Sequence, residues 1–555
     1  MARLLLLLLA LNAACGGSPD DAPPDGGGGR GGEATAGATT SGGGGSSGVG
    51  GSGGGGGGGG EGPTDACLAI AASNDAALNR STIQGCLDAP AGYAGLEPGA
   101  TYSIDASLIV DAGDVLEGID PKARSVVQPA AASAPFATSS NAIVNVVNST
   151  GGDAGGTMRN VKIDMRDARP AGSTIYGVRV AYDKNRVENV EITSTPMPWR
   201  EVRAISLYFG TGYENLADGV DIHHAGLGVV FVNGNTEAMS PWVDHAVITD
   251  NRGDSVTFAG YGKLTNSVIA RNGYDDGDSG SGTRLPPGGA LYASYVNQEG
   301  GWIENNEVSD SCGTNLELNM TRNFTVLGNH FFHPGWPGKN GSSSPIGPGE
   351  LSYDVPADFC KAAMTALVIA TRDSVFQGNV ITNHDRAANT SASTSNGGSE
   401  MWFGPSKTDL PSPDGTSIGL AFVLGKGHAD TMGDPHYAVH NVFKDNHFAA
   451  TSGGLGIGWF AGRGTGFGPG GVWDPATTAN VFDDNSHCDP SGACSAAPHT
   501  VRCGDNRYAT GTPSCGGPGG NAFDGVGKGN ACNRDDFTHE GAGHDARRND
   551  LCYGY

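Results

Sequence analysis

Between residues 94 and 487, apolar and polar positions alternate in short runs that keep returning. The runs "YGVRVAY", "GVVFVNG", "DSVTFAG", "GALYASY", "NLELNMT", "ALVIATR", "IGLAFVL" and "LGIGWFA" each read as a strand. A turn follows each of them, then a second strand, then a third short apolar piece. Interleaved with them is a step of apolar-x-x-Asn, at Ile248/Asn251, Ile269/Asn272, Ile303/Asn306, Val326/Asn329, Phe376/Asn379, Phe443/Asn446 and Phe482/Asn485. Where no insertion intervenes, successive asparagines lie 21 residues apart (251 to 272) or 23 apart (306 to 329). A period of that size, without helical spacing, predicts a β-solenoid in which each strand stacks in parallel on its equivalent one coil away.

The asparagines then have a structural explanation. A bend between strands needs a residue that tolerates an unusual backbone conformation, and Asn does so. Its amide both donates and accepts, so stacked copies form a ladder that satisfies an inward polar group. The expectation is one ladder, at the second turn of each coil. That register makes the eight strands above the first strand of each coil. It turns Glu317, Asn319, Tyr292, Ser294, Tyr208, Thr257 and Arg179 outward as a polar and aromatic strip suited to a sugar chain; a plain solvated sheet face is the alternative.

"GLEPGATYSIDASLIVDAGDVLEGIDP" (95–121), "GTMRNVKIDM" and the Asn coils resemble the pectate-lyase-like right-handed parallel β-helix superfamily. The resemblance implies an all-β fold, a right-handed parallel β-helix of about a dozen coils over 94–487, with substrates lying along the first-strand sheet. It implies little about activity, because the superfamily mixes lyases, hydrolases, epimerases and non-catalytic surface proteins. Residues 65–93 have helix-forming composition and are expected to cap the amino-terminal end of the solenoid.

The chain ends differ from this middle. "MARLLLLLLALNAACGG" places Arg3 before an apolar run too short to span a bilayer, and residues 1–15 read as an export signal. The segment ending at Cys15 resembles the lipobox of bacterial lipoproteins, although Asn12 stands where Leu is usual. The resemblance implies lipidation of Cys15 and a lipid anchor as the contact with membrane. Ordinary signal cleavage near Ala14 is the alternative. Residues 16–64 are Gly-, Ser-, Ala-, Asp- and Pro-rich and predict a flexible tether. The expected location is extracytoplasmic, at a bacterial outer membrane or cell surface, or secreted. With 58 acidic against 33 basic residues and a net charge of −25, nucleic acid is not a natural partner. A monomer is expected.

Setting Cys15 aside from the eleven cysteines leaves an even ten. In an exported chain that predicts up to five disulfides among Cys67, Cys86, Cys312, Cys360, Cys488, Cys494, Cys503, Cys515, Cys532 and Cys552. Cys67 is expected with Cys86 and Cys312 with Cys360. The last six form a Cys-rich segment over 488–555 whose connectivity the sequence leaves open. Zinc is the rival, but no CxxC pair exists.

Candidate chemistry clusters near the longest insertions, 274–288, 333–360, 383–417 and 425–439, which would wall the strip. Trp336 and Trp402 on those walls can stack on pyranose faces. Arg322 and Arg372 follow the first strand in consecutive coils, so two cations are expected at close quarters. A substrate carboxylate between them would suit both forks, as β-elimination on uronic acids requires. Glu317 is the nearest outward acid. Asp275, Asp276 and Asp278 form an acidic Gly-rich loop that suits Ca²⁺, without EF-hand spacing. Asp434-Pro-His436 resembles the motif of mannuronan C5-epimerases, and the resemblance implies catalytic roles for Asp434 and His436; Thr431 stands where that family has tyrosine. His428, Asp430, Asp434 and His436 also have the chemistry to hold a metal. A glycoside hydrolase would need converging carboxylates, for which Glu317 and Asp254 are the candidates. The reading favours binding, and lyase-type cleavage, of an extracellular polysaccharide. An epimerase and a non-enzymatic adhesive or structural solenoid are the alternatives.

Overall fold

The computed structural model describes residues 63–540 other than 131–141, 167–174, 195–203, 233, 274–289, 294–299, 312–313, 320, 333–363, 370, 384–417, 425–440, 451–454, 462–480, 484, 489–493, 497, 504–530 and 533–535. Its strands form three sheets of 13 strands each. The first sheet runs from Tyr93–Leu96 to Ala531–Cys532, the second from Thr101–Ile104 to Cys494–Ala496, and the third from Leu108–Val110 to Asp536–Glu540. Within each sheet, neighbouring strands are three apart in the chain up to the final rungs. The chain therefore coils through the three sheets in turn, and the protein is a parallel β-helix. Among the described residues one pair is antiparallel, Ser486–Cys488 with Cys494–Ala496, and its register sets Cys488 opposite Cys494. The sheets thus continue past residue 487 into the cysteine-rich segment.

The amino-terminal end is capped as expected. Helix Ala76–Leu87 begins at Asp75, whose carboxylate accepts from the amides of Ala77 and Leu78 at 2.9 and 3.1 Å. Its Ile83 and Leu87 are buried on the first coil. Ile70 pairs with Leu96, extending over the first sheet's open edge. A Cys67–Cys86 disulfide ties this segment to the helix, confirming that pairing. Cys312 and Cys360 lie outside the described residues. Among the described residues no helix is long and apolar enough to cross a membrane.

Inside, side chains stack in columns. Phe209, Phe231, Phe258 and Phe324 form one run, with ring centroids 5.5, 5.1 and 5.7 Å apart. The column needs room, and glycines supply it. A Cβ on Gly262 would lie 2.3 Å from the Phe231 ring, and one on Gly301 would lie 2.7 Å from Phe324.

The corners correct two expectations. First, the unusual backbone does not belong to the ladder asparagines. It belongs to the residue just before them: Asp250, Arg271, Asn305, Gly328, Gly378 and Asp445 have φ of 60, 54, 55, 60, 64 and 54°. The left-handed residue turns the chain, and the next side chain points inward as an amide. Second, there is not one ladder but a succession of them at different corners. Between third and first sheets, Asn185 donates to Asn215 at 3.0 Å. Between second and third, Asn251 donates to Asn272 at 3.0 Å. Between first and second, Asn306, Asn329, Asn379, Asn446 and Asn485 are linked in order by side-chain bonds of 2.9–3.0 Å. One sequence pattern served two corners because each corner repeats the same turn geometry.

Candidate functional site

The eight strands singled out from sequence all lie in the third sheet. Parallel pairing lines up one row of positions across it: Asn145, Arg179, Tyr208, Val230, Thr257, Tyr292, Glu317, Leu367, Ala421 and Gly458. Tyr208, Thr257, Tyr292 and Glu317 thus share the predicted face. They are not, however, an open strip. They are 4, 2, 6 and 7 % exposed. Tyr208 belongs to a second apolar cluster on this outer face, with Tyr176, Ile205, Leu227, Val230 and Val232. The outer face was read as solvated because alternation reports only which side a residue takes, not what lies over that side. After Glu317 the row passes through Leu367, Ala421 and Gly458 before reaching Thr500 and Thr538, so the polar stretch around Glu317 is short: Thr257, Tyr292 and Glu317. Asp254, 3 % exposed, enters the same strand as Thr257. Asn319 lies two residues beyond Glu317 on its strand.

Arg322 and Arg372 are where the period put them. They form an isolated parallel bridge on adjacent coils, at the corner between third and first sheets. The backbone amide of Arg372 donates to Thr321 and that of Asn323 to Arg372, at 3.0 and 3.2 Å. Beneath them the hydroxyls of Thr321 and Thr371 are 3.2 Å apart and buried. Both arginines are half-buried. Asp275, Asp276, Asp278, Trp336, Trp402, His428, Asp430, Asp434 and His436, together with Ser294, lie outside the described residues.

Two outer surfaces escaped the sequence reading. On the second sheet, Glu191 accepts from Lys162, from Arg124 at 3.3 Å and from His223 Nε2 at 3.3 Å. Hydrogen bonds from His223 and Lys162 hold its carboxyl down at about 2 against the cost of burial. The Nδ1 atoms of His223 and His224 are 2.7 Å apart, and Thr193 Oγ1 lies 3.2 Å from His223 Nδ1. Burial pushes the neighbouring Asp221 carboxyl up. On the first sheet, Asp218, Asp244 and His245 hold their polar atoms within 4.8 Å of one another. Beside them Trp242, Lys263 and Trp302 fall in one row. The signal for that row was present: "WVDHA" and "WIENN" place a tryptophan four residues before the inward corner residue in two coils.

No protein-family model matches the sequence, and no curated protein matches it. Similar solved structures include the A-module of a mannuronan C-5 epimerase from Azotobacter vinelandii (13 % identity, TM-score 0.42, covering 76 % of this chain and 93 % of that one). The Dettilon tailspike protein is similar at 12 % identity and TM-score 0.38, over 80 % of this chain and 70 % of that one. The DFA-IIIase of Arthrobacter chlorophenolicus, in complex with DFA-III, follows at 13 % and 0.35, over 77 % of this chain and 90 % of that one. The fold assignment rests on the chain's own three parallel sheets.

Proposed function

We propose that this protein binds an acidic extracellular polysaccharide at the corner between third and first sheets, and cleaves it by β-elimination. The observation that supports this is the Arg322–Arg372 rung. Equivalent positions on adjacent strands are roughly 4.8 Å apart. Two guanidinium groups rooted that close gain from an anion shared between their forks. A uronate carboxylate is such an anion, and neutralising it acidifies the adjacent C5 proton. Glu317, on the same coil, is assigned the role of proton acceptor. The C5–H electrons form the C4=C5 double bond, the C4–O bond breaks, and the leaving oxygen takes a proton. Anchoring through a lipidated Cys15 and the 16–64 tether completes the proposal, and radiolabelled palmitate incorporation, lost in Cys15→Ser, tests that part.

Arg322→Ala and Arg372→Ala are each expected to weaken binding of a polyuronate oligosaccharide at least tenfold, about 1.4 kcal/mol. Added salt should weaken wild-type binding more than that of either variant. Glu317→Gln should keep binding and lose the absorbance of the unsaturated product. Turnover without that absorbance would mean epimerisation, which shares the first proton transfer. If both arginine variants match wild type on every polyuronate, the clamp is wrong and a non-enzymatic solenoid stands.

A further inference from the structure

The outer face of the first sheet differs from that of the third in being open. Trp242 is 40 % exposed, and Lys263 and Trp302 are half-buried. Register puts Trp242, Lys263 and Trp302 at one position on three successive coils. The two tryptophans are therefore two rungs apart, roughly 9.6 Å at sheet spacing. Neither indole is loose. Trp242 Nε1 donates to Thr265 on the next coil at 2.6 Å, and Trp302 Nε1 donates to Glu304 at 2.8 Å. Each ring is thus turned so that its N–H edge is engaged within the protein.

The row beside them is Glu188, Asp218, Asp244, Thr265 and Glu304, again one residue per coil. Four carboxylates against Lys263 and, two coils before Trp242 in its row, Arg186 leave this face net negative and unfavourable for a polyanion. It is hospitable to a neutral, hydroxyl-rich chain that has apolar faces to stack and hydroxyls to donate to carboxylates. Two rungs approximate the span of two residues in an extended β-1,4-linked pyranose chain, so alternate rings can meet the two indoles.

We infer that Trp242 and Trp302 form a second glycan-binding platform, on the first sheet, for a neutral β-1,4-linked chain running along the helix axis. This goes beyond the uronate site, which lies at another corner and does not depend on it. Aromatic faces contribute most when they are held rigid before binding, because little side-chain freedom is then lost. Lys263, on the coil between the two tryptophans, would hydrogen-bond the sugar between the stacked rings.

The test is titration of the full chain with cellohexaose, mannohexaose and xylohexaose, followed by tryptophan fluorescence. At least one should bind and perturb the emission. Trp242→Ala and Trp302→Ala should each weaken that binding at least tenfold, Trp242→Phe should weaken it less, and polyuronate binding should be unchanged in all three. Melting curves confirm that the outer-face variants fold. Failure of all three hexasaccharides to bind, or binding that survives both alanine variants, overturns the platform. So does a wild-type dimer that Trp242→Ala converts to monomer, since the face would then be covered by a second copy. Loss of polyuronate binding in Arg322→Ala with hexasaccharide binding intact separates this inference from the uronate reading.

Discussion

The two ends of this helix tie their coils together by different means. At the corner between first and second sheets, the early coils point Val161, Val190, Val220 and Ala246 inward, all essentially buried. The later coils point Asn306, Asn329, Asn379, Asn446 and Asn485 into the same column, equally buried. The backbone does not distinguish them. A left-handed residue precedes the inward one in both, from Asn160 and Asn189 at φ 57 and 51° to Gly378 and Asp445 at 64 and 54°. Its amide bonds to the next coil throughout, Asn189 to Asp218 at 2.9 Å and Gly378 to Lys444 at 3.0 Å. What changes is where the polar ties between coils sit. In the late coils they run through the interior as amides. In the early coils this column is apolar from Val161 to Ala246, and polar ties lie at another interior corner, where Asn185 meets Asn215, and outside on the second sheet, where Arg124, Lys162, Glu191 and His223 link four successive coils. Ser267 is the junction. Its hydroxyl accepts from the amide of Ala246 at 2.9 Å, and its own amide donates to Asn306 at 3.0 Å.

The contrast is sharpest under exchange of the two fillings. Asn329→Val removes the acceptor of Asn306's backbone and side-chain amides, and the donor to Ile303's carbonyl. Burying those groups unpaired is expected to cost about 3 kcal/mol. Val190→Asn places an amide between Val161 and Val220, which offer no side-chain partner, and a similar loss is expected. Urea melts of both variants, with amide exchange to locate the loosened coils, check this. If Val190→Asn is neutral, the early corner is not a dry apolar column and the comparison fails.

A smaller effect is expected from Gly262→Ala. The added methyl enters the Phe231 ring, which is buried and stacked between Phe209 and Phe258. Overpacking of that kind costs about 2 kcal/mol. Gly99→Ala, where a Cβ meets nothing within 4 Å but φ is +68°, isolates the backbone component alone. The two melting temperatures should separate packing from conformation. Equal losses would mean that the phenylalanine column does not require the glycine.

Ser267→Ala follows, at about 1–2 kcal/mol, because Ala246's buried amide loses its acceptor while the amide of residue 267 still reaches Asn306. Amide exchange at Ala246 should rise more than at Asn329. A uniform rise along the corner would show that the junction is no boundary.

The coil was legible because repetition multiplies a weak signal: strand alternation, an amide every 21 or 23 residues and turn residues all agreed. Membership of each strand in the third sheet followed from the same period, and so did the Arg322–Arg372 rung. The two-corner assignment was not legible. Ile248-x-x-Asn251 and Ile303-x-x-Asn306 are the same string, yet one closes a second-sheet strand and the other a first-sheet strand. Burial of Tyr292 and Glu317 was hidden for a different reason, since alternation reports which side a residue takes and not what lies over that side. Glu191's partners come from strands 29 to 67 residues away, and no local pattern joins them.

An effect of similar size, and the one that most directly separates the two halves, is on pH dependence. Glu191 is 18 % exposed, with Lys162, Arg124 and His223 around it. Hydrogen bonds from His223 and Lys162 draw its carboxyl from 4.5 down to about 2. The folded value lies below the unfolded one, so this carboxylate stabilises the fold above pH of about 4.5, and the contribution fades as pH falls toward about 2. Full conversion of that shift would overstate it, because the group is partly hydrated and the cations remain near one another when it is lost; about 1–2 kcal/mol is expected. Glu191→Gln should therefore lose that amount at pH 7, lose little at pH 2, and flatten the stability profile between. Salt should act the same way, weakening the wild type's early coils and leaving the variant nearly indifferent. The amide column has no titratable group, so Asn329→Val should lose equally at pH 7 and pH 3 and at low and high salt. Exchange rates measured at Ile192 for the early coils and at Phe331 for the late ones read the two halves separately. Parallel acid curves for Glu191→Gln and wild type would show that the outer network ties nothing together, and that the early coils rest on their interior packing and amides.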